Sequence, residues 1–158
     1  MNRGFKQKAI GSIGEKILAN FCSSQGFRVV WNTEEFGYWD LEIDGVKSQV
    51  KTLTPFVKHD AWCISESKTG RNIDNLLKCK TLYIVSIPSI YSHPTDGKIF
   101  SLSTSHLSKS DLMLLEGSNN ASMVIYRDNP NLIEVYKLNK EEIKSITEHK
   151  ISYFTKKS

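Results

Sequence analysis

The sequence predicts an α/β domain in which a central mixed β-sheet is flanked by helices. Three observations carry that expectation. An apolar series at helical spacing runs from Lys8 to Gln25, Asp44-Gly45 is flanked by residues that alternate apolar and polar, and Thr81 to Ile87 is a continuous apolar run closed by Pro88. The first is the pattern of a helix with one buried face, the second of a hairpin around a two-residue turn, and the third of a strand buried on both faces.

The elements follow in order along the chain. Ile10, Ile13, Ile17, Leu18 and Phe21 share one helical face, and Gly26 supplies a stop. Phe27 to Trp31 is β-branched and aromatic enough for a strand, and Asn32 to Gly37 connects it to the hairpin. Pro55 ends the second hairpin strand, and Ala61 to Ser65 reads as a further short strand. Within Thr69 to Lys80, Ile73, Leu76 and Leu77 have helical spacing behind a polar lead-in of Lys68, Arg71 and Asn72, where a phosphate or a simple cap fits equally well. Lys98 to Leu102 is expected to be a strand, Ser108 to Glu116 a short helix capped by serine, and Ser122 to Tyr126 and Leu132 to Leu138 strands around Asp128-Asn129-Pro130. Asn139 with Glu142 three residues on makes a capping box for a final helix through about Glu148.

With 158 residues the expectation is one domain, with a core over about 8–88 and a C-terminal extension over about 97–158. Hydrophobic content of 39% and charged content of 24% are ordinary for a globular protein. No stretch approaches the ~18–20 apolar residues of a membrane span, and the basic start has no apolar segment behind it. A cytoplasmic location with no membrane partner is expected. Three cysteines without C-x-x-C spacing and four dispersed histidines point to neither a disulfide framework nor a zinc site. The absence of P-loop, dinucleotide and G-x-S-x-G patterns argues against ATP-driven, redox and serine-hydrolase chemistry. A net charge of +4 permits nucleic-acid binding without establishing it. The positive charge is spread along the chain, so any DNA surface has to be assembled by folding.

The hairpin concentrates the chemistry. With Asp44-Gly45 as its turn, Trp39, Leu41 and Ile43 lie opposite Val50, Ser48 and Val46 on one face, expected to pack on a core. The other face pairs Asp40 with Gln49, Glu42 with Lys47 and Tyr38 with Lys51. Opposed side chains on a sheet start about 4.5–5.5 Å apart, so one hard cation can touch both the Asp40 carboxylate and the Gln49 side-chain oxygen. Lys51 stands one pleat further on, beside any phosphate that cation holds. The same side chains also suit the solvated face of an ordinary hairpin, to which Glu42 and Asp44 are assigned. Trp31, Trp39 and Trp62 are assigned to the core, and His59 to an exposed loop.

Helix, hairpin, strand, helix, buried strand is the order of the PD-(D/E)XK nuclease core, which the chain resembles over roughly 11–87. The residues that carry the resemblance are Glu15 in Gly11-Ser12-Ile13-Gly14-Glu15, Asp40 at the start of the hairpin, and Gln49-Val50-Lys51. A glutamate in the first helix ahead of this hairpin is similar to the Holliday-junction-resolvase branch, and glutamine in place of the second acid is similar to some group I intron homing endonucleases. Trp39 stands where the family has proline, and Gln49 removes one negative charge from the metal site. The resemblance implies a restriction-endonuclease-like fold and a Mg²⁺-dependent DNA endonuclease in which Mn²⁺ can substitute. It further implies that Asp40, Gln49 and the Val50 carbonyl hold the metal, that Lys51 positions or helps deprotonate the attacking water, and that Glu15 binds a metal-bound water or a second ion. Double-stranded or branched DNA is the expected substrate, cut by a homing-type or junction-resolving enzyme acting as a homodimer or higher homo-oligomer. A nucleic-acid-binding or assembly protein that kept this fold and lost catalysis with the acid at position 49 is the alternative.

Overall fold

The computed structural model describes residues 3–34, 37–56, 60–67, 70–88 and 97–157, with side chains from Lys8 to Glu148 within them. The elements are α1 (Arg3–Ser24), β1 (Val29–Trp31), β2 (Leu41–Ile43), β3 (Val46–Leu53), β4 (Ala61–Ser65), α2 (Asn72–Lys78), β5 (Thr81–Ser86), β6 (Lys98–Ser103), β7 (Leu112–Leu114), β8 (Ala121–Tyr126), β9 (Ile133–Lys137) and α3 (Lys140–Lys157). Six strands form a mixed sheet in the order β1-β2-β3-β5-β6-β9, and β4, β8 and β7 form a second sheet in the order β4-β8-β7. β3 and β5 run parallel, while the other neighbours run antiparallel. A parallel pair needs a crossover connection, and here the crossover contains β4 and α2.

The period of two in the strands sorts the side chains into two cores. On one side of the large sheet, Val50, Val85, Ile87 and Ile99 meet Ile17, Leu18 and Cys22 of α1 and Ile143 and Ile146 of α3. On the other, Leu82, Ile84 and Leu102 meet Ile73 and Leu76 of α2 and Trp62, Ile64, Met123 and Ile125 of the small sheet. The large sheet is therefore covered on both faces, which is why β5 reads as an uninterrupted apolar run. Trp62 is fully buried, and its Nε1 donates to Ser86 Oγ at 3.0 Å, tying the small sheet to the large one.

The hairpin has the expected register, Leu41 opposite Ser48, Glu42 opposite Lys47 and Ile43 opposite Val46. Asp44 and Gly45 both have positive φ, 49° and 82°, the geometry of a type I′ turn that matches strand twist. Asp44 also fastens β1 to the hairpin: its N–H donates to Arg28 O at 2.9 Å, and its Oδ1 accepts from Arg28 N at 2.8 Å. The capping box forms as expected, with Asn139 N donating to Glu142 Oε1 at 2.9 Å and Glu142 N donating to Asn139 Oδ1 at 2.8 Å.

Several expectations are corrected. Ser108 to Glu116 is not a helix: Ser108 caps a single 3₁₀ turn over Lys109–Asp111, and the chain then enters β7 against β8. The serine cap is real, but sheet pairing takes the apolar residues after it. Trp31 is 42% exposed on the short edge strand β1 instead of lying in the core, and Val46 is likewise exposed beside the turn. The N–H groups at the start of α2 are not open to a phosphate, because Ser67 Oγ accepts from Arg71 N and Asn72 N and Glu66 Oε1 accepts from Ile73 N. His59 and Lys68 lie outside the described residues. Among the described residues no helix is long and apolar enough to cross a membrane.

Candidate functional site

β3 presents Ser48, Val50 and Thr52 to one face and Lys47, Gln49, Lys51 and Leu53 to the other, as alternation requires. Val50 belongs to the core under α1, and Leu53 packs against the core under the small sheet. β2 begins at Leu41, and just before that start the edge of β3 is served by a side chain. Asp40 N donates to Ser48 O at 2.8 Å, one step before β2, and Asp40 Oδ2 then accepts from Val50 N at 2.8 Å. The carboxylate takes the place that a strand carbonyl would hold. This corrects the expectation of a plain Asp40–Gln49 ladder pair, since the Asp40 side chain folds back along the edge of β3 and is partly buried there.

Gln49 is buried, with 7% exposure. Its Nε2 donates to Tyr38 O at 2.8 Å, while its Oε1 is buried and has no hydrogen-bond partner. The orientation is forced: only the amine end of the amide can meet a carbonyl, so the oxygen must face the other way. Tyr38 does not stand with Lys51. Its ring and hydroxyl turn to Lys47, whose Nζ lies 3.4 Å from Tyr38 Oη, and no Glu42–Lys47 ion pair closes although the two residues are opposed.

Glu15 arrives from the helix layer. Gly14 is buried against β3 so closely that a Cβ there would overlap Thr52 Oγ1, an atom that is itself buried without a hydrogen-bond partner. Glycine is what permits that approach. The next residue, Glu15, then lies within electrostatic reach of Asp40, just before the start of β2. Burial first, and the Asp40 charge after it, lift its carboxyl to about 7 against the opposing charge of Lys51. The Asp40 carboxyl is also raised by burial, and the Val50 N–H and Lys51 hold it down. The charges of Asp40 and Lys51 thus both reach the Glu15 carboxyl, and both acids are raised chiefly by burial.

Among the described residues no three His, Cys, Asp or Glu side chains come together as a metal cluster. Gln49 Oε1 is a further side-chain oxygen on this strand, buried and without a hydrogen-bond partner. Glu42 and Asp44 stay outside the site, on the open part of the hairpin and in its turn. Sequence reasoning did not single out Gly14 or the Tyr38 carbonyl. The signal for the first was present, since Gly11 and Gly14 lie about one turn apart on the face that precedes Glu15. The second had none, because a backbone carbonyl leaves no trace in residue type.

No protein-family model and no curated protein matches the sequence. Among solved structures the chain is similar to a bacterial homing endonuclease, I-Ssp6803I, at 12% identity, with 94% of this chain and 96% of that chain covered and a TM-score of 0.46.

Proposed function

We propose that the chain is a Mg²⁺-dependent DNA endonuclease whose site is the start of β2 and the adjoining stretch of β3. The observation that carries this reading is the Gln49 Oε1 atom, buried and unpartnered, one residue along β3 from the amide that Asp40 caps. A buried oxygen without a donor costs about 1–3 kcal/mol, and a hard cation offsets that cost. Two acids with raised pKa on the same spot fit the same group.

In this reading Asp40, Gln49 and the Val50 carbonyl hold the ion. In a strand the N–H and C=O of one residue leave on the same edge, so the Val50 carbonyl is directed to the edge where Asp40 sits. The Val50 N–H fixes Asp40 Oδ2 and so orients the rest of the carboxylate. When bound, Mg²⁺ supplies a Lewis acid for the phosphoryl oxygens. Lys51 places its ammonium beside the phosphate that gains charge and helps orient the attacking water. Glu15, titrating near neutrality, is suited to take the proton of that water or to serve a second ion. Attack at phosphorus breaks the bond to the 3′ oxygen and leaves 5′-phosphate and 3′-hydroxyl ends. A homodimer would present two such sites to a duplex, as homing-type or junction-resolving cleavage requires, with 97–158 supplying DNA contacts or the subunit interface.

The test is cleavage of supercoiled plasmid in Mg²⁺, Mn²⁺ or EDTA, with the wild-type chain beside Asp40→Asn. Cleavage is expected with either metal, none in EDTA, and a rate lower by roughly 10²–10³-fold in the variant. Asparagine keeps an oxygen for the Val50 N–H, so the fold is retained. Equal cleavage by Asp40→Asn would overturn the assignment of the site.

A further inference from the structure

Two lysines and two aromatic rings flank the site without taking part in it. Lys47 stands two residues before Gln49 on the same face of β3, its Nζ 5.5 Å from the Tyr38 ring centroid and 5.5 Å from the Trp39 ring centroid. Lys78, in the last turn of α2, brings its Nζ to 5.8 Å from the same Tyr38 ring. Two ammonium groups on different elements therefore converge on one tyrosine. Neither is in an ion pair among the described residues, where the paired cations are Lys98, Lys109, Arg127 and Lys144. Lys78 is exposed, and Lys47, Tyr38 and Trp39 are partly so.

Two like charges drawn to one ring repel each other, and neither closes an ion pair even though Glu42 stands opposite Lys47 across the hairpin. A phosphate seated between the two ammonium groups relieves that repulsion. Along β3 the rise is ~3.3 Å per residue, so Lys47 lies roughly 13 Å from Lys51, with its ammonium turned toward Tyr38. An anion seated there belongs to a different phosphate from the one at Lys51. The Tyr38 carbonyl meanwhile accepts from Gln49 Nε2 at 2.8 Å, so the platform and the Gln49 amide are held by one residue.

We propose that Tyr38, Trp39, Lys47 and Lys78 form a seat for the sugar–phosphate backbone of duplex DNA next to the reacting phosphate. This rests on the nuclease reading and names the surface by which that site grips its substrate. Lys47 and Lys78 supply charge to a non-scissile phosphate, and the rings hold both ammonium groups in place before DNA arrives.

Binding of a labelled DNA duplex, followed by fluorescence anisotropy in EDTA across a salt series, tests the proposal. Lys47→Met/Lys78→Met keeps the apolar stems over the rings. It is expected to bind about tenfold or more weakly at low salt, with a log–log salt slope smaller by about two. Lys47→Arg/Lys78→Arg is expected to bind as the wild type does, and Lys144→Met, on α3, is the control for a generic loss of charge. Wild-type affinity in the methionine double variant would overturn the seat while leaving plasmid cleavage, and with it the nuclease reading, intact. Loss of binding in that variant without any Mg²⁺-dependent cleavage by the wild type would leave the seat and remove the nuclease. A wild-type chain that binds no duplex would overturn both.

Discussion

Gln49 divides its amide between two tasks, and the division explains why glutamine stands where a carboxylate is the commoner ligand. Its Nε2 holds the Tyr38 carbonyl at 2.8 Å, which no ionised acid can do. Gln49→Glu is therefore expected to act in two directions. Divalent-ion affinity should rise through the added charge, while the metal-free protein should lose about 1–2 kcal/mol as a carboxylate faces the carbonyl. Titration calorimetry and denaturant melts with and without Mg²⁺ read both, and an unchanged isotherm would place Gln49 outside the ligand set. Glu15 offers a pH test. Its folded pKa of about 7 lies above the ordinary 4.5, so the native state keeps a proton that the unfolded chain has already released. Stability should thus fall as pH rises from 4.5 to 7 and level off above. In EDTA, Glu15→Gln is expected to stabilise the protein at pH 8 by about 1 kcal/mol, discounted for the half-exposed position, and to have no such effect below pH 4.5. The hairpin register from Leu41 opposite Ser48 to the turn was legible in the sequence, because it follows from residue type and count. The partner of Tyr38 was not, because β2 begins at Leu41 and strand alternation does not govern the residues before it.

At the scale of elements, the placing of Glu15 depends on how closely α1 lies on β3. Gly14→Ala pushes a methyl into Thr52 Oγ1 and should lift the helix, at a cost of about 1–3 kcal/mol by overpacking. The loss of cleavage should be larger than that of stability alone, since Glu15 moves with the helix. Adding Thr52→Ala removes Oγ1 and leaves only a Cβ contact of 3.2 Å, so it is expected to restore most of the thermal midpoint and of the cleavage. Failure of that rescue would show that Gly14 matters for some reason other than its distance from β3. The hairpin, the central strand and the α3 capping box could be read from local pattern, because each is specified within a few residues. The small sheet could not. β4 finds β8 about sixty residues later, and Leu112–Leu114 becomes a strand only because β8 lies beside it. A serine cap before an apolar stretch reads as a helix start until that neighbour exists.

For the whole molecule, the large sheet is sandwiched between α1 and α3 on one face and α2 with the small sheet on the other, while its short edge strand β1 leaves Trp31 open. Native-state hydrogen exchange should follow that plan. Amides of β3 and β5 are expected to exchange only through global opening, and those of β1 and β7 by smaller openings. Equal protection of β1 and β5 would mean that the hairpin is held more firmly than its contacts indicate. The one parallel contact described, β3 beside β5, has a consequence for timing. The strand neighbours of Gln49 and Lys51 are Leu82 and Ile84, and they reach their places only after residues 54–80 have crossed over. The turn at Asp44-Gly45 can close locally and early, but it brings only part of the constellation together. A chain still emerging from the ribosome, or one caught with β5 peeled away, has the acids without the buried floor that aims them. Under the proposed reading it would be harmless to the genome around it until its last strands are home.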